Sequence, residues 1–139
     1  MTLTINVQKL HLDAQIPTYA KDGDAGMDVI AISKNVGEQF IEYGTGLAFE
    51  VPQDHVMLIF SRSSVSNKKL ALANAVGVLD SGYRGELKLR FYKHGEQEYE
   101  IGDKIGQIMI LPYPKISFEE REKLSDSYRG TGGFGSTGS

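Results

Sequence analysis

Residues 85–93 read "GELKLRFYK", in which Leu87, Leu89 and Phe91 alternate one for one with Glu86, Lys88 and Arg90. A β-strand sends successive side chains to opposite faces, whereas a helix gathers residues three and four apart onto one face. Strict alternation therefore predicts a strand with one face in a core and the other in water. The same period returns in "TLTINV", through Leu3, Ile5 and Val7. "HVMLIF" (55–60) and "IGQIMIL" (105–111) are apolar on both faces, as central strands are. "VGEQFIEY" and "GTGLAFEV" predict two more strands around a glycine-containing turn at Tyr43 to Gly46. "GEQEYEIGDK" reads as turn, short strand, turn.

Helical patterning is sparse. "SVSNKKLALANA" (64–75) predicts a turn or two of helix with Ser64 or Ser66 as cap, and "SFEEREKLSD" either one more turn or a strand and loop. Sixteen glycines spaced between short strands point to an all-β sandwich or barrel. At 139 residues this is one domain. Residues 1–125 form its body, and a glycine-rich arm begins near Ser125 and occupies 126–139.

Several chemistries fall away. The chain has no cysteine, hence no disulfide, thiolate metal site or thiol nucleophile. A net charge of −3 disfavours non-specific binding to nucleic acid, though not a small anion held by local donors. The first residues lack the charged and apolar regions of a secretory leader, and no apolar run reaches the length of a membrane span. A cytosolic protein with no membrane contact is expected.

Five stretches carry polar groups in places where chemistry is possible. In "NAVGVLDSGYRGEL" (74–87), an apolar hairpin arm of Ala75, Val76, Val78 and Leu79 leads into turn material. Asp80 then stands at a strand end, where a carboxylate can take a proton from water. Tyr83 offers a flat face and a hydroxyl, and Asn74 offers one acceptor and two donors, enough to pair with a pyrimidine edge. Read blandly, these are hairpin residues and a cap. "SRSSVSNK" (61–68) sets Arg62 and four hydroxyls at a possible helix start, which suits either phosphate or simple capping. "DAGMDVIA" places Asp24 and Asp28 around a small-residue turn, where either can touch a magnesium shell directly or through water, or serve the turn alone. Gln107 is a polar residue within an apolar strand, and its amide needs a partner, whether backbone or ligand phosphate.

The fifth stretch is "RGTGGFGSTG" (129–138), with five glycines and no aliphatic residue. Its backbone can wrap phosphate closely, Arg129 can grip one, Ser136 and Thr137 can hydrogen-bond its oxygens, and Phe134 can stack on a base. A disordered tail and a lid that orders over a ligand both fit.

Taken together, "DAGMD", "RSS", "GVLDSGYRG", "GDKIGQ" and "RGTGGFGSTG" stand in the order and spacing of the five motifs of the trimeric dUTPase family, which the chain resembles from Asp24 to Gly138. The resemblance implies a distorted β jelly roll, three copies of which share three sites, with the arm of one chain completing a site built by the other two. It implies hydrolysis of dUTP to dUMP and pyrophosphate, which limits uracil in DNA and supplies dUMP for thymidylate synthesis. On the matching positions, Asp80 would deprotonate the water that attacks the α-phosphorus. Tyr83 would pack beneath the deoxyribose and exclude a 2′-hydroxyl. Asn74 and the backbone of Gly77, Val78 and Leu79 would read uracil. Arg62, Ser63, Ser64 and Gln107 would hold the phosphates, and Asp28 would support Mg2+ through water. Arg129, Phe134, Gly135, Ser136 and Thr137 would close the arm.

This assignment agrees with elementary physics. A triphosphate carries about four negative charges, so an acidic protein needs magnesium and arginine to hold it. Attack at phosphorus depends on positioning and charge neutralisation more than on covalent help. The chain departs from the family pattern in three places: Ser61 stands where proline is usual, Ser64 followed by Val65 replaces a commoner glycine nearby, and Leu79 stands where isoleucine or valine is usual. Two rival readings are a dCTP deaminase on the same fold, for which no acid–base carboxylate can be placed beside the base, and a non-catalytic binding protein.

Overall fold

The computed structural model describes residues 2–136. Ten strands follow in chain order: β1 (Asn6–Lys9), β2 (Met27–Ile30), β3 (Ser33–Val36), β4 (Phe40–Gly44), β5 (Leu47–Glu50), β6 (His55–Phe60), β7 (Leu70–Leu72), β8 (Gly77–Leu79), β9 (Lys88–Lys93) and β10 (Lys104–Pro112). They pair into one four-stranded sheet, β2-β10-β6-β8, a second, β3-β4-β9-β7, and a two-stranded ribbon, β1-β5, all antiparallel. The chain crosses between the two large sheets repeatedly, which makes the body a jelly roll.

Alternation explains the layers. Leu87, Leu89 and Phe91 are all buried, while Lys88 and Arg90 face out. Opposite them Ile41 pairs with Phe91, and Tyr43 with Leu89. The other sheet supplies Val29, Met57, Ile59, Leu79, Ile105 and Ile108 to the same core. Tyr43, Phe91 and Tyr99 meet edge to face with centroids 5.6–5.9 Å apart, the arrangement that aromatic quadrupoles favour. The Tyr43 hydroxyl donates to the Tyr99 carbonyl at 3.0 Å. Burial pushes its pKa up to about 12.

Pairing departs from the sequence reading wherever it depends on distant partners. β4 and β5 do not form a hairpin. The Thr45–Gly46 turn carries the chain from one sheet to another, where β5 pairs with β1. The true hairpin lies within "VGEQFIEY", where Gly37 N–H donates to the Phe40 carbonyl at 2.8 Å between β3 and β4. The apolar arm read over Ala75 to Leu79 is strand only at its end, β8, which pairs with β6, while β7 before it pairs with β9. The stretch read as helix over 64–75 holds most of a 3-10 helix (Ser63–Lys68) and then strand β7, and no side chain caps that helix. Residues 97–100 form no strand, although Tyr99 is buried there as an anchor. "SFEEREKLSD" is exposed and has neither helix nor strand. Leu3 is exposed and precedes β1, so that strand is shorter than its alternation predicts.

Candidate active site

β8 lies at the edge of its sheet, paired only with β6: Met57 with Leu79, Leu58 with Val78, Ile59 with Gly77. Gly77 and Leu79 face the core and Val78 faces out. The outer backbone groups of an edge strand have no ladder partner and are free to recognise something else. Asp80 follows immediately and is exposed, as a strand-end carboxylate should be. Its carbonyl accepts the Tyr83 N–H at 3.1 Å, closing a tight turn. The Tyr83 hydroxyl donates to the Glu86 carbonyl at 2.9 Å, folding the ring across Gly85. Glycine at 85 lets the ring take this pose, because a Cβ there would come 2.4–2.9 Å from the phenol and the ring would have to shift.

Asn74 stands on the exposed turn before β8 and caps no helix. Among the described residues its amide makes no hydrogen bond. Asn74, Gly77, Val78, Leu79, Asp80 and Tyr83 all line one cavity of about 590 Å³. Glu42, Glu86, Lys88 and Arg90 line it as well. Arg90 Nε donates to Glu42 at 2.7 Å, and Lys88 lies 3.6 Å from the same carboxylate. That hydrogen bond from Arg90 holds the Glu42 pKa below its usual value.

The phosphate candidates gather in a second cluster. Arg62 leads into the 3-10 helix, its Nε donating to Asp28 at 3.3 Å and its Nη1 to the Ser64 hydroxyl at 3.4 Å. Ser63 is exposed beside them. Asp28 sits within β2 rather than in a turn, opposite Gln107 of β10. Its second oxygen lies 3.9 Å from Lys104. The Gln107 amide donates to the Ser61 carbonyl at 3.1 Å, so backbone is its partner, and it steadies the residue before Arg62. Asp24 accepts the Lys21 N–H at 3.1 Å within its own turn. No three His, Asp or Glu side chains cluster as a metal cage among the described residues. Asp28 is already paired with two cations, Arg62 and Lys104, which compete for its oxygens, so a magnesium ion carried by phosphates would meet it through water rather than directly.

The two clusters do not merge within one chain. None of Asp28, Arg62, Ser63, Ser64 and Gln107 lines the cavity that holds Asp80. No hydrogen bond ties the arm to either cluster among the described residues. Its hydrogen bonds among the described residues are local, from Gly132 N–H to Arg129 O (3.3 Å), Ser136 N–H to Gly133 O (3.0 Å) and Arg129 Nε to Gly132 O (2.7 Å). Phe134 is exposed at a positive φ of 52°, next to Gly135. Thr137 lies outside the described residues.

A sequence profile of the dUTPase family matches residues 13–138. The chain belongs to the dUTPase family. The deoxyuridine 5'-triphosphate nucleotidohydrolases of Clostridium tetani and Clostridioides difficile are 39% and 41% identical to it, over 97% and 96% of this chain and 97% of each relative. A Staphylococcus bacteriophage 80alpha dUTPase solved with dUpNHpp superimposes with a TM-score of 0.85 at 27% identity, over 99% of this chain and 100% of that one.

Against the sequence reading of this dUTPase, the structure adds three groups. Lys104, inside the quoted "GDKIGQ", joins the Arg62–Asp28 cluster, and its position in that motif was the available signal. Glu86, read only as an outward position of the alternating segment, lies just before β9 and lines the Asp80 cavity. The Glu42–Arg90 pair reaches the same cavity through the pairing of β4 with β9, which no local pattern announces.

Proposed function

We infer that this chain hydrolyses dUTP to dUMP and pyrophosphate by attack of water on the α-phosphorus. The observation that carries most weight is the gathering of Asp80, Asn74 and Tyr83 around one cavity in a member of the dUTPase family. Asp80 orients the water and takes its proton. Asn74 and the free outer backbone of Gly77, Val78 and Leu79 read uracil. Backbone groups cannot flip as an amide can, so they set the choice against cytosine. Close packing at the same edge refuses the thymine methyl. Tyr83, locked by its own hydroxyl bond, packs beneath the deoxyribose.

Arg62, Ser63 and Ser64 hold the phosphates, with Gln107 bracing Ser61 and offering its second N–H. Asp28 would support a magnesium ion through water, and that ion would supply charge neutralisation at the phosphates when bound. The body, residues 1–125, presents these groups. The arm, residues 126–139, closes over the nucleotide with Arg129, Phe134, Gly135, Ser136 and Thr137. Ordering glycine-rich backbone is unfavourable in entropy, so closure awaits a full triphosphate.

Because the Asp80 cavity and the Arg62 cluster are separate within one chain, a complete site takes them from different copies. A homotrimer with shared sites is the assembly proposed. The exposed Val78 at the cavity and the exposed Ile116 and Phe118 beyond β10 are apolar surface that assembly would cover. The enzyme works in the cytoplasm, supplying dUMP and limiting uracil in DNA. Among the described residues no helix is long and apolar enough to cross a membrane.

Deamination of dCTP would need an acid–base carboxylate in the cavity beyond the Asp80 that serves the attacking water. Glu42 is engaged by Arg90, and Glu86 by a backbone N–H at 2.9 Å. The test is a panel of dUTP, dCTP, dTTP and UTP with and without magnesium, measuring pyrophosphate and ammonia. Pyrophosphate from dUTP alone, dependent on magnesium, is expected. Ammonia from dCTP would defeat the assignment.

A further inference from the structure

The geometry points to Glu86 as a positioning residue that fastens the Asp80–Tyr83 loop to the Thr45–Gly46 turn and so sets turnover and sugar selectivity, an inference that rests on the dUTP-hydrolysing reading above. Glu86 acts at both ends of the loop's attachment. Its carboxylate accepts the Gly46 N–H at 2.9 Å in a partly buried position. Its carbonyl accepts the Tyr83 hydroxyl at 2.9 Å. The turn it grips is a rigid anchor. Thr45 is fully buried, its hydroxyl donates to the Leu87 carbonyl at 2.7 Å, and Leu87 N–H donates to Leu47 O at 2.8 Å.

The loop itself has little else to hold it. Residues 82–84 are exposed. Apart from Tyr83, the loop's side-chain bonds come from Arg84, whose Nη1 donates to Ser81 O at 2.7 Å and Tyr83 O at 3.2 Å and so stays within the loop, and whose ion pair with Glu50, at 3.5 Å, is exposed. Exposed ion pairs fix geometry weakly, whereas a buried N–H left without its acceptor is unfavourable. The carboxylate bond to Gly46 therefore decides where the Glu86 carbonyl, and through it the Tyr83 ring, comes to rest. Glu86 touches neither the attacked phosphorus nor the water in this scheme. It acts through Tyr83 and the backbone leading to Asp80.

The experiment compares the full-length wild type with E86A and E86Q, reading pyrophosphate release from dUTP and from UTP, with thermal melting as a check on folding. E86Q keeps a side-chain oxygen for the Gly46 N–H, and E86A removes it. E86A should lose ~10- to 100-fold in kcat, the scale of a small misplacement of reacting groups, with a smaller change in KM and a reduced preference for dUTP over UTP. E86Q should recover most of both. In the Tyr83→Phe background, where the hydroxyl bond is already gone, E86A should cause a smaller further loss than in wild type. If E86A does not fold, E86D decides in its place: its shorter reach should lower kcat and selectivity. Wild-type kcat and selectivity in E86A (or in E86D), E86Q as damaged as E86A, or fully multiplicative losses with Tyr83→Phe would overturn the inference. A wild-type chain that releases no pyrophosphate from dUTP would instead refute the hydrolytic reading beneath it.

Discussion

Arg62→Ala tests the phosphate cluster with a magnitude that its geometry sets. A guanidinium has five N–H donors in a planar fork. Here Nε is engaged by Asp28 at 3.3 Å and one Nη1 proton by Ser64 at 3.4 Å, which leaves the others for phosphate. Arg62, Lys104 and Asp28 together carry one net positive charge, and removing the arginine makes the cluster neutral. A hydrogen bond between charged groups contributes about 1.5–3 kcal/mol, and each 1.4 kcal/mol is about a factor of ten. Arg62→Ala should therefore lower kcat/KM for dUTP ~10- to 150-fold.

Stability should change little, because the Arg62–Asp28 pair is one-third exposed on each side and such pairs contribute about 1 kcal/mol at most. Arg62→Lys keeps the charge but not the fork, so it should fall between wild type and alanine. The assay is pyrophosphate release under kcat/KM conditions, alongside thermal melting. A kcat/KM within twofold of wild type for Arg62→Ala would remove Arg62 from the site. A large drop in melting temperature would mean that it is structural.

Three further changes follow from the same geometry. Asp80→Asn should keep dUTP binding, measured calorimetrically, while turnover falls ~10²- to 10⁴-fold for want of a base; near-normal turnover would mean another base exists. Tyr43→Phe leaves the buried Tyr99 carbonyl without its 3.0 Å donor and should destabilise the fold by about 1–3 kcal/mol, visible in thermal melts with activity preserved at low temperature. Hydrogen bonds from Lys34 and Lys93 hold the Glu98 pKa below 4.5, and donating to Glu98 raises the pKa of Lys34 above 10.5. The carboxylate contribution is thus present above pH 4.5 and lost as pH falls through the lowered value, while the lysine contribution is present below pH 10.5 and lost as pH rises through the raised one. Glu98→Gln should flatten both limbs of a melting-temperature profile, and an unchanged acid limb would refute this origin.

The fold was legible in sequence where one strand's own alternation decides its burial, as in Leu87, Leu89 and Phe91. It was not legible where pairing decides. "FIEY" and "LAFE" look like a hairpin because they are adjacent, yet each finds a better partner far along the chain, β9 for the first and β1 for the second. Tyr99 lies in a stretch with no strand and is held by aromatic neighbours that only the folded chain supplies. At the site, Asn74, Asp80 and Tyr83 could be read together because one continuous segment places them on one cavity. Asp28, Arg62 and Gln107 converge instead through the pairing of β2, β10 and β6, and Glu86 became visible as a cavity residue only once the 44–47 turn had folded against it.

In the proposed assembly, base, phosphate grip and closing arm meet from different copies of this chain. Asp80→Asn and a truncation lacking residues 129–139 should each be nearly inactive alone. Dissociated, mixed and reassembled, they should recover a measurable fraction of wild-type pyrophosphate release from dUTP, because some sites then pair an intact Asp80 with an intact arm from another copy. No recovery in mixtures shown by mass to contain both chains would contradict the account.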